Sequence, residues 1–270
     1  MRRWAVAAAA AIFLAGCSGG GDPDPGPTTT PTPSVLPSAT PVPGPAAEAC
    51  YRLAYGEALA PTNDRPAVDC DRRHTSQTYA VGRVDTVVDG HLLAIDSTRV
   101  REQVARTCPE QLGGFVGGDE DDLRLSMLRA VWFTPTVEQS DAGADWYRCD
   151  VIAVAGTDDL ATVTGRLDGV LDEQEGRDRW GMCGTAAPDA RDFARVLCSS
   201  DHAWRAVSVV ELPDGGYPGE ADVREAGQTP CQDAGRDAAE DPLDYQWGYE
   251  WPTAEQWAAG QTYGRCWAPD

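Results

Sequence analysis

The chain contains no lysine: all 22 basic residues of its 270 are arginine, set against 43 aspartates and glutamates, for a formal charge of −21. A field of that sign repels nucleic acid and anionic lipid headgroups, which makes both poor candidate partners. A His-Glu-x-x-His pair and a Gly-x-x-x-x-Gly-Lys loop are also missing, so neither a zincin nor a P-loop site is encoded. With 43 acids, some pair of carboxylates could always be nominated as a hydrolytic dyad, and no such pair is chosen. No catalytic residue, cofactor or metal is assigned, and the chain is expected not to be an enzyme. A hydrophobic fraction of 42% nevertheless suffices for a packed core and excludes wholesale disorder.

What is present begins with an odd number of cysteines, nine. The N-terminus reads Met1, Arg2, Arg3, then an apolar run from Trp4 to Ala15. Twelve helical residues span about 18 Å, short of the roughly 30 Å hydrocarbon core, so the run is a secretory signal and not a membrane span. It closes on Leu14-Ala15-Gly16-Cys17, which resembles the lipobox of bacterial lipoproteins. That resemblance implies cleavage before Cys17 and acylation (palmitate among the chains) of its thiol, and it removes the unmatched cysteine from disulfide chemistry. Losing Arg2 and Arg3 leaves 20 arginines against 43 acids, a charge of −23. Two or more acyl chains hold a protein stably at a membrane, so the expected location is the extracytoplasmic face of the cell membrane, through the anchor on Cys17. Residues 18–46 carry nine prolines in 29 positions, the composition of a disordered, polyproline-like tether reaching up to about 90 Å.

The eight remaining cysteines fall into two sets, Cys50, Cys70, Cys108 and Cys149, then Cys183, Cys198, Cys231 and Cys266. In each set the second cysteine is followed by a histidine four residues on, giving Cys70…His74 and Cys198…His202. The segments Pro135–Cys149 and Pro252–Cys266 align without a gap and share Pro, Thr, Glu, Gln, Ala, Gly, Arg and Cys in register. Agreement of that density identifies an internal duplication. Each copy reads as α+β. Short strands flank the second cysteine, at Ala67-Val68 and Tyr79–Val88, and at Val196-Leu197 and Ala206–Leu212. Val100, Val104, Cys108 and Leu112 repeat on one helical face, while the counterpart near 220–233 is interrupted by Gly227 and Pro230. A strand over Leu125–Phe133 or Tyr245–Trp251 comes next. Thr136 with Gln139, and Thr253 with Gln256, have capping-box spacing, and a final strand holds the fourth cysteine.

The order Cys, Cys-x-x-x-His, helix-borne Cys, Pro-Thr-x-x-x-Trp, Gly, Arg and Cys resembles the septum-formation domain of actinobacterial envelope proteins. Trp257 fits that tryptophan, where the first copy has Ser140, and Thr164-Gly165-Arg166-Leu167 is similar to the segment that closes the unit. The family often carries His-Asp-x-Glu after the second cysteine. Here Thr75, Ser76 and Gln77 follow His74, and Ala203, Trp204 and Arg205 follow His202. The resemblance implies two tandem small, disulfide-stabilised α+β domains, over 47–172 and 179–270, after a signal peptide at 1–16 and a lipidated tether at 17–46. A lysine-free composition rich in Ala, Arg, Asp and Gly suits a high-GC genome of that kind.

An exported chain sits in an oxidising compartment, so disulfides are the expected state of eight paired cysteines. Four cysteines allow three connectivities per copy, which sequence does not choose among. The favoured arrangement is Cys50–Cys70, Cys108–Cys149, Cys183–Cys198 and Cys231–Cys266, because pairing within a copy lets each copy fold alone. Zinc on the Cys-x-x-x-His pairs is the weaker alternative, since no second close pair completes a tetrahedral site within a copy. His74 and His202 are expected to close the turn after the cysteine, with partner binding as their other use. Gly118–Asp122 lacks the ligand spacing of a calcium loop and reads as a solvated acidic turn. Tyr245, Trp247, Tyr249 and Trp251 alternate along a strand and share one face. The offset that aligns the copies puts Leu128, Ala130, Trp132 and Thr134 there in the first, which favours core. An exposed platform for envelope glycan, with Trp247 and Trp251 as binding residues, is the alternative. The function expected is a non-catalytic envelope lipoprotein, a scaffold or binding module in cell-wall or septum-related processes. An envelope protein or peptidoglycan would be its partner. The rival reading is an envelope enzyme, or an accessory to one, acting on cell-wall glycan.

Overall fold

A computed structural model describes residues 43–270. Cys17, the signal segment and most of the tether expected over 17–46 lie outside the described residues. No helix among the described residues is long and apolar enough to cross a membrane.

The first half runs β1 (Cys50–Tyr51), α1 (Tyr55–Ala58), β2 (Ser76–Arg83), β3 (Val87–Val88), β4 (His91–Leu92), α2 (Thr98–Val116), α3 (Glu120–Arg124), β5 (Leu128–Phe133), α4 (Val137–Asp141), β6 (Trp146–Gly156) and β7 (Asp159–Leu160). The second runs α5 (Gln174–Trp180), β8 (Met182–Gly184), β9 (Arg195–Leu197), β10 (Trp204–Glu211), α6 (Glu220–Ala226), α7 (Gln228–Ala238), β11 (Gly248–Glu250), α8 (Ala254–Ala258) and β12 (Tyr263–Pro269). The chain is thus a mixed helix-and-strand protein with two principal sheets.

The two sheets repeat one plan. The first has strand order β1-β2-β6-β5, with β7 added beside β6; the second has β11-β12-β10-β8-β9. Cys149 lies opposite Ala80 and Trp132, and Cys266 lies opposite Ser208 and Tyr249. The register shifts between Thr78 and Ala80 in one sheet and between Ala206 and Ser208 in the other. A bulge inserts an unpaired residue and bends its strand, so Tyr79 and Val207 do the same geometric work.

In α2, Val100, Val104, Cys108, Leu112 and Val116 are all buried, a four-residue spacing that turns one stripe to the sheet. Its counterpart is broken in two at Gly227. A side chain at Gly227 or Gly264 would collide with the Tyr249 ring, so both must be glycine for the tyrosine to enter. Pro230 sits in the first turn of α7, where its missing N–H removes no helical bond. Thr136 accepts from the Gln139 amide at 3.2 Å and Gln139 Oε1 accepts from the Thr136 amide at 3.0 Å. Thr253 and Gln256 repeat the pair at 3.2 and 2.8 Å.

Three strands are shorter than the sequence pattern predicts. The one expected over Leu125–Phe133 starts at Leu128, because Leu125 caps the end of α3. The run from Tyr79 to Val88 divides, because Asp85 accepts from the Val87 amide and turns the chain into a separate two-stranded ribbon. The strand predicted over Tyr245–Trp251 shrinks to β11. Asp241 turns the chain before it by accepting from the Leu243 amide, and Trp247 packs on Gly235 of α7.

The described residues, 43–270, form one compact unit. Its central apolar cluster takes Met127, Leu128, Val151 and Ala153 from the first sheet's half, and Met182, Leu197, Ala206 and Trp267 from the second. Leu171 and Trp180, on either side of the gap drawn between 172 and 179, are buried in it. Main-chain bonds from Met127 N to Trp180 O and from Met182 N to Leu125 O, both 2.7 Å, join the halves. Trp267 is the largest fully buried side chain, with the Phe193 ring edge-on at 5.1 Å. A Trp267→Ala substitution is expected to cost about 3–5 kcal/mol. Because the cluster is common property, amide exchange should rise in β5 and β6 as well as in β10 and β12. Faster exchange confined to the second sheet would argue against a shared core.

Candidate functional site

The covalent frame comes first. The four disulfides are Cys50–Cys70, Cys108–Cys149, Cys183–Cys198 and Cys231–Cys266, all within a half. Two of them do the same task, one in each half, fastening the long helix to the strand that carries the fourth cysteine, α2 to β6 and α7 to β12. By loop entropy each bridge contributes roughly 3–4 kcal/mol. Cys70 is bonded to Cys50 and offers no thiolate to a metal alongside His74. Cys183, His202 and Asp270 bring ligand atoms within 4.8 Å of one another, but the Cys183 sulfur is spent on Cys198.

The two histidines hold matching places. His74 Nδ1 lies 2.8 Å from Arg72 O, and His202 Nδ1 lies 2.7 Å from Ser200 O. A carbonyl only accepts, so Nδ1 carries the hydrogen in both rings. Each ring therefore closes the turn behind its cysteine. Beyond that they diverge. His74 is buried and bridged through its backbone to Val163, and among the described residues its Nε2 has no hydrogen-bond partner. His202 turns Nε2 to Asp270 Oδ2 at 3.1 Å, and Arg205 Nε donates to the same oxygen at 2.6 Å.

The aromatic row is not an exposed strip. Tyr249 is buried and donates its hydroxyl to Val223 O at 3.0 Å; burial pushes its pKa up to about 12. Trp247 and Trp251 are half-buried against the same cluster, and Arg224 lies 5.2 Å from the Trp251 ring. Asp119 and Asp122 of the acidic turn form the capping box of α3, each accepting the other's amide.

The site that sequence reasoning missed lies where the two sheets meet. Arg129 of β5, Arg195 of β9 and Arg265 of β12 line a cleft of about 500 Å³ with Arg124 beside them. Among the described residues Glu120 is the sole acid of that lining, in a chain with 43 acids and 22 arginines. Glu250 supports the cluster, binding Arg195 through Oε1 and lying 3.8 Å from Arg265 through Oε2. Arg265 is nearly buried; its Nε donates to Arg124 O at 2.9 Å and its Nη2 to the Tyr263 hydroxyl at 3.1 Å. Arg124 stacks over the Tyr263 ring at 4.4 Å and meets Glu120, Asp121 and Glu211.

Arg129 differs from the others. Its Nη1 donates to Ser126 O and Leu128 O at 2.9 and 2.6 Å, and among the described residues no carboxylate pairs with it. Burial, with Arg265 adding repulsion, lowers the Arg129 and Arg195 guanidinium pKa values to about 10. Both stay charged at neutral pH. Arg195 Nε and Glu250 Oε2 are buried without a hydrogen-bond partner among the described residues.

The four arginines come from positions 124, 129, 195 and 265, and no linear pattern joins them. The nearest signal is the shared Arg-Cys at the end of the aligned segments. In the first half, Arg148 is buried on its own strand, 3.0 Å from Asp150 and stacked on Tyr51 and Phe133.

These features define a disulfide-braced, two-sheet α+β body with a cationic cleft along its seam. A family model described as septum formation matches residues 49–266, and the chain belongs to that family. The match runs unbroken through both sheets and every disulfide, and membership suggests a role related to cell division. No curated protein and no solved structure matches the chain.

The Asp270 carboxyl is held below its ordinary value of 3.8, chiefly by the Arg205 hydrogen bond, with His202 adding to the effect. Its stabilising contribution is therefore complete above that ordinary value and is lost as pH falls through the lower folded value. An Asp270→Asn variant should lose less stability than wild type on acidification below about pH 4, read by urea unfolding across the range. Superimposable acid limbs would show that the cluster contributes nothing.

Proposed function

We propose that the protein is a non-catalytic cell-envelope module of an actinobacterial type, anchored by lipid on Cys17 to the extracytoplasmic face of the membrane. It acts as a scaffold or binding partner in septum-related processes. The observation that carries this reading is the family match across nearly the whole folded body. The lipobox-like Cys17 and the Pro-rich tether support the anchored location, and the disulfides agree with an exported chain. Matching strand orders, bulges and cysteine placements support descent by duplication. One unbroken match and one shared core favour a duplication inside the family's unit over two free-standing domains.

An aromatic glycan platform has less support, because Tyr249 is core and Trp247 and Trp251 lean on it. Crosslinking in intact cells followed by pull-down of the tagged chain should recover a division or cell-wall protein, or peptidoglycan. Recovery should fall when Cys17→Ser releases the chain from the membrane fraction. A Cys17→Ser chain that still sediments with membranes would remove the anchor. Recovery of no envelope component would remove the binding role.

A further inference from the structure

We propose that the arginine cleft between the two sheets binds a phosphate monoester that carries an apolar group. The site combines what such a ligand needs. Arg129, Arg195 and Arg265 face one cavity, and Glu250 is the carboxylate paired within that group. Arg195 and Arg265 thus share one carboxylate and Arg129 has none among the described residues. That excess of positive charge within the trio complements a dianion more than a single carboxylate, while Arg124 beside them is matched by Glu120, Asp121 and Glu211. Guanidinium is the side chain suited to phosphate oxygens, because its planar fork donates two parallel hydrogen bonds. Arg129 has donors free for that task, since a single one of its nitrogens is engaged with backbone carbonyls.

The arrangement is costly without an anion. Like charges crowd in a half-buried space, and burial and repulsion lower the pKa of each. Glu250 offsets part of this cost and could have been joined by further acids in so acidic a chain. Among the described residues the cleft lining instead holds Glu120 alone, and Glu120 pairs with Arg124 at 2.5 Å. Pro109, Leu112 and Leu123 form an apolar side to the same cavity. That side fits a hydrocarbon or aromatic group attached to the phosphate. Arg129 and Arg195 also line an adjoining cavity of about 460 Å³, where Asp158 and Glu250 stand with Phe193 and Met127, so the apolar side of the site is the one formed by Pro109, Leu112 and Leu123.

The inference deepens the binding-module reading, and its test is separable from it. The full chain in detergent is titrated calorimetrically, at constant ionic strength, with phenyl phosphate, inorganic phosphate, benzoate and dihexanoyl phosphatidic acid. Phenyl phosphate should bind saturably, with inorganic phosphate and benzoate each weaker by about tenfold, the ratio expected when an apolar group or a charge-assisted pair is lost. Tighter binding of the dihexanoyl lipid than of phenyl phosphate would support the assignment and name a lipid source; the reverse would name a soluble one. Arg129→Gln should weaken binding about tenfold with disulfides and circular dichroism unchanged, which separates cleft binding from partition into detergent. If that variant is unstable, Arg195→Gln should give the same loss. No saturable binding of millimolar phenyl phosphate, benzoate binding equally well, or full affinity in both variants would overturn the proposal. A chain that binds phenyl phosphate but captures no envelope partner would leave this inference standing and remove the septal reading alone.

Discussion

The burial of Trp267 between two sheets is the packing event on which the rest of the structure depends. Its ring fills the centre of a cluster to which both halves contribute, and the main-chain bonds around Ser126–Met127 and Gly181–Met182 bring the sheets close enough to enclose it. Removing that contact would leave two small sheets, each with an apolar face and few elements to cover it. Small bodies bury too little surface to be stable alone without covalent help. The disulfides supply that help locally, and Trp267 makes the two locally braced sheets into one body.

The same position shows how the two similar halves differ. In the central strand of the first sheet the aligned residue is Asp150, buried and accepting from Ser76 and Thr78 at 2.7 and 2.8 Å. Burial raises its pKa, against the opposing pull of Arg148. One half thus buries a hydrogen-bonded carboxylate where the other buries an indole. The preceding arginines diverge in step: Arg148 is consumed by Asp150 and two rings, while Arg265, with no acid on its own strand, reaches into the seam. Without an acid on its own strand, Arg265 is one of the four arginines that line the cleft.

Much of the frame was legible because it rests on short-range rules. The four-residue spacing of α2, the threonine caps of α4 and α8 and the cysteine order all follow from local geometry, and the structure holds them where the sequence puts them. The ends of strands were less legible, because an Asp85 side chain or a tryptophan against Gly235 decides them, and neither contact has a periodic signature. The shared core was hidden for a related reason. A duplicated pattern suggests independent units, whereas Leu171 and Trp180 show their role only when both sheets are in place. The cleft was least visible of all, since its four arginines lie in four elements and resemble the other surface arginines of an acidic chain.

The bridge between Cys50 and Cys70 has a mechanical consequence. If the chain is held at its N-terminal side by a lipid, any pull along the tether enters the folded body at β1. That strand pairs with β2 through two residue positions and would peel away readily by itself. The sulfur link passes the tension past it, to the turn that His74 closes and onward into β2 at the middle of the sheet. A short edge strand thereby becomes a covalent hitch, and a growing or constricting envelope could tug on this protein without unravelling it from the end that is tied.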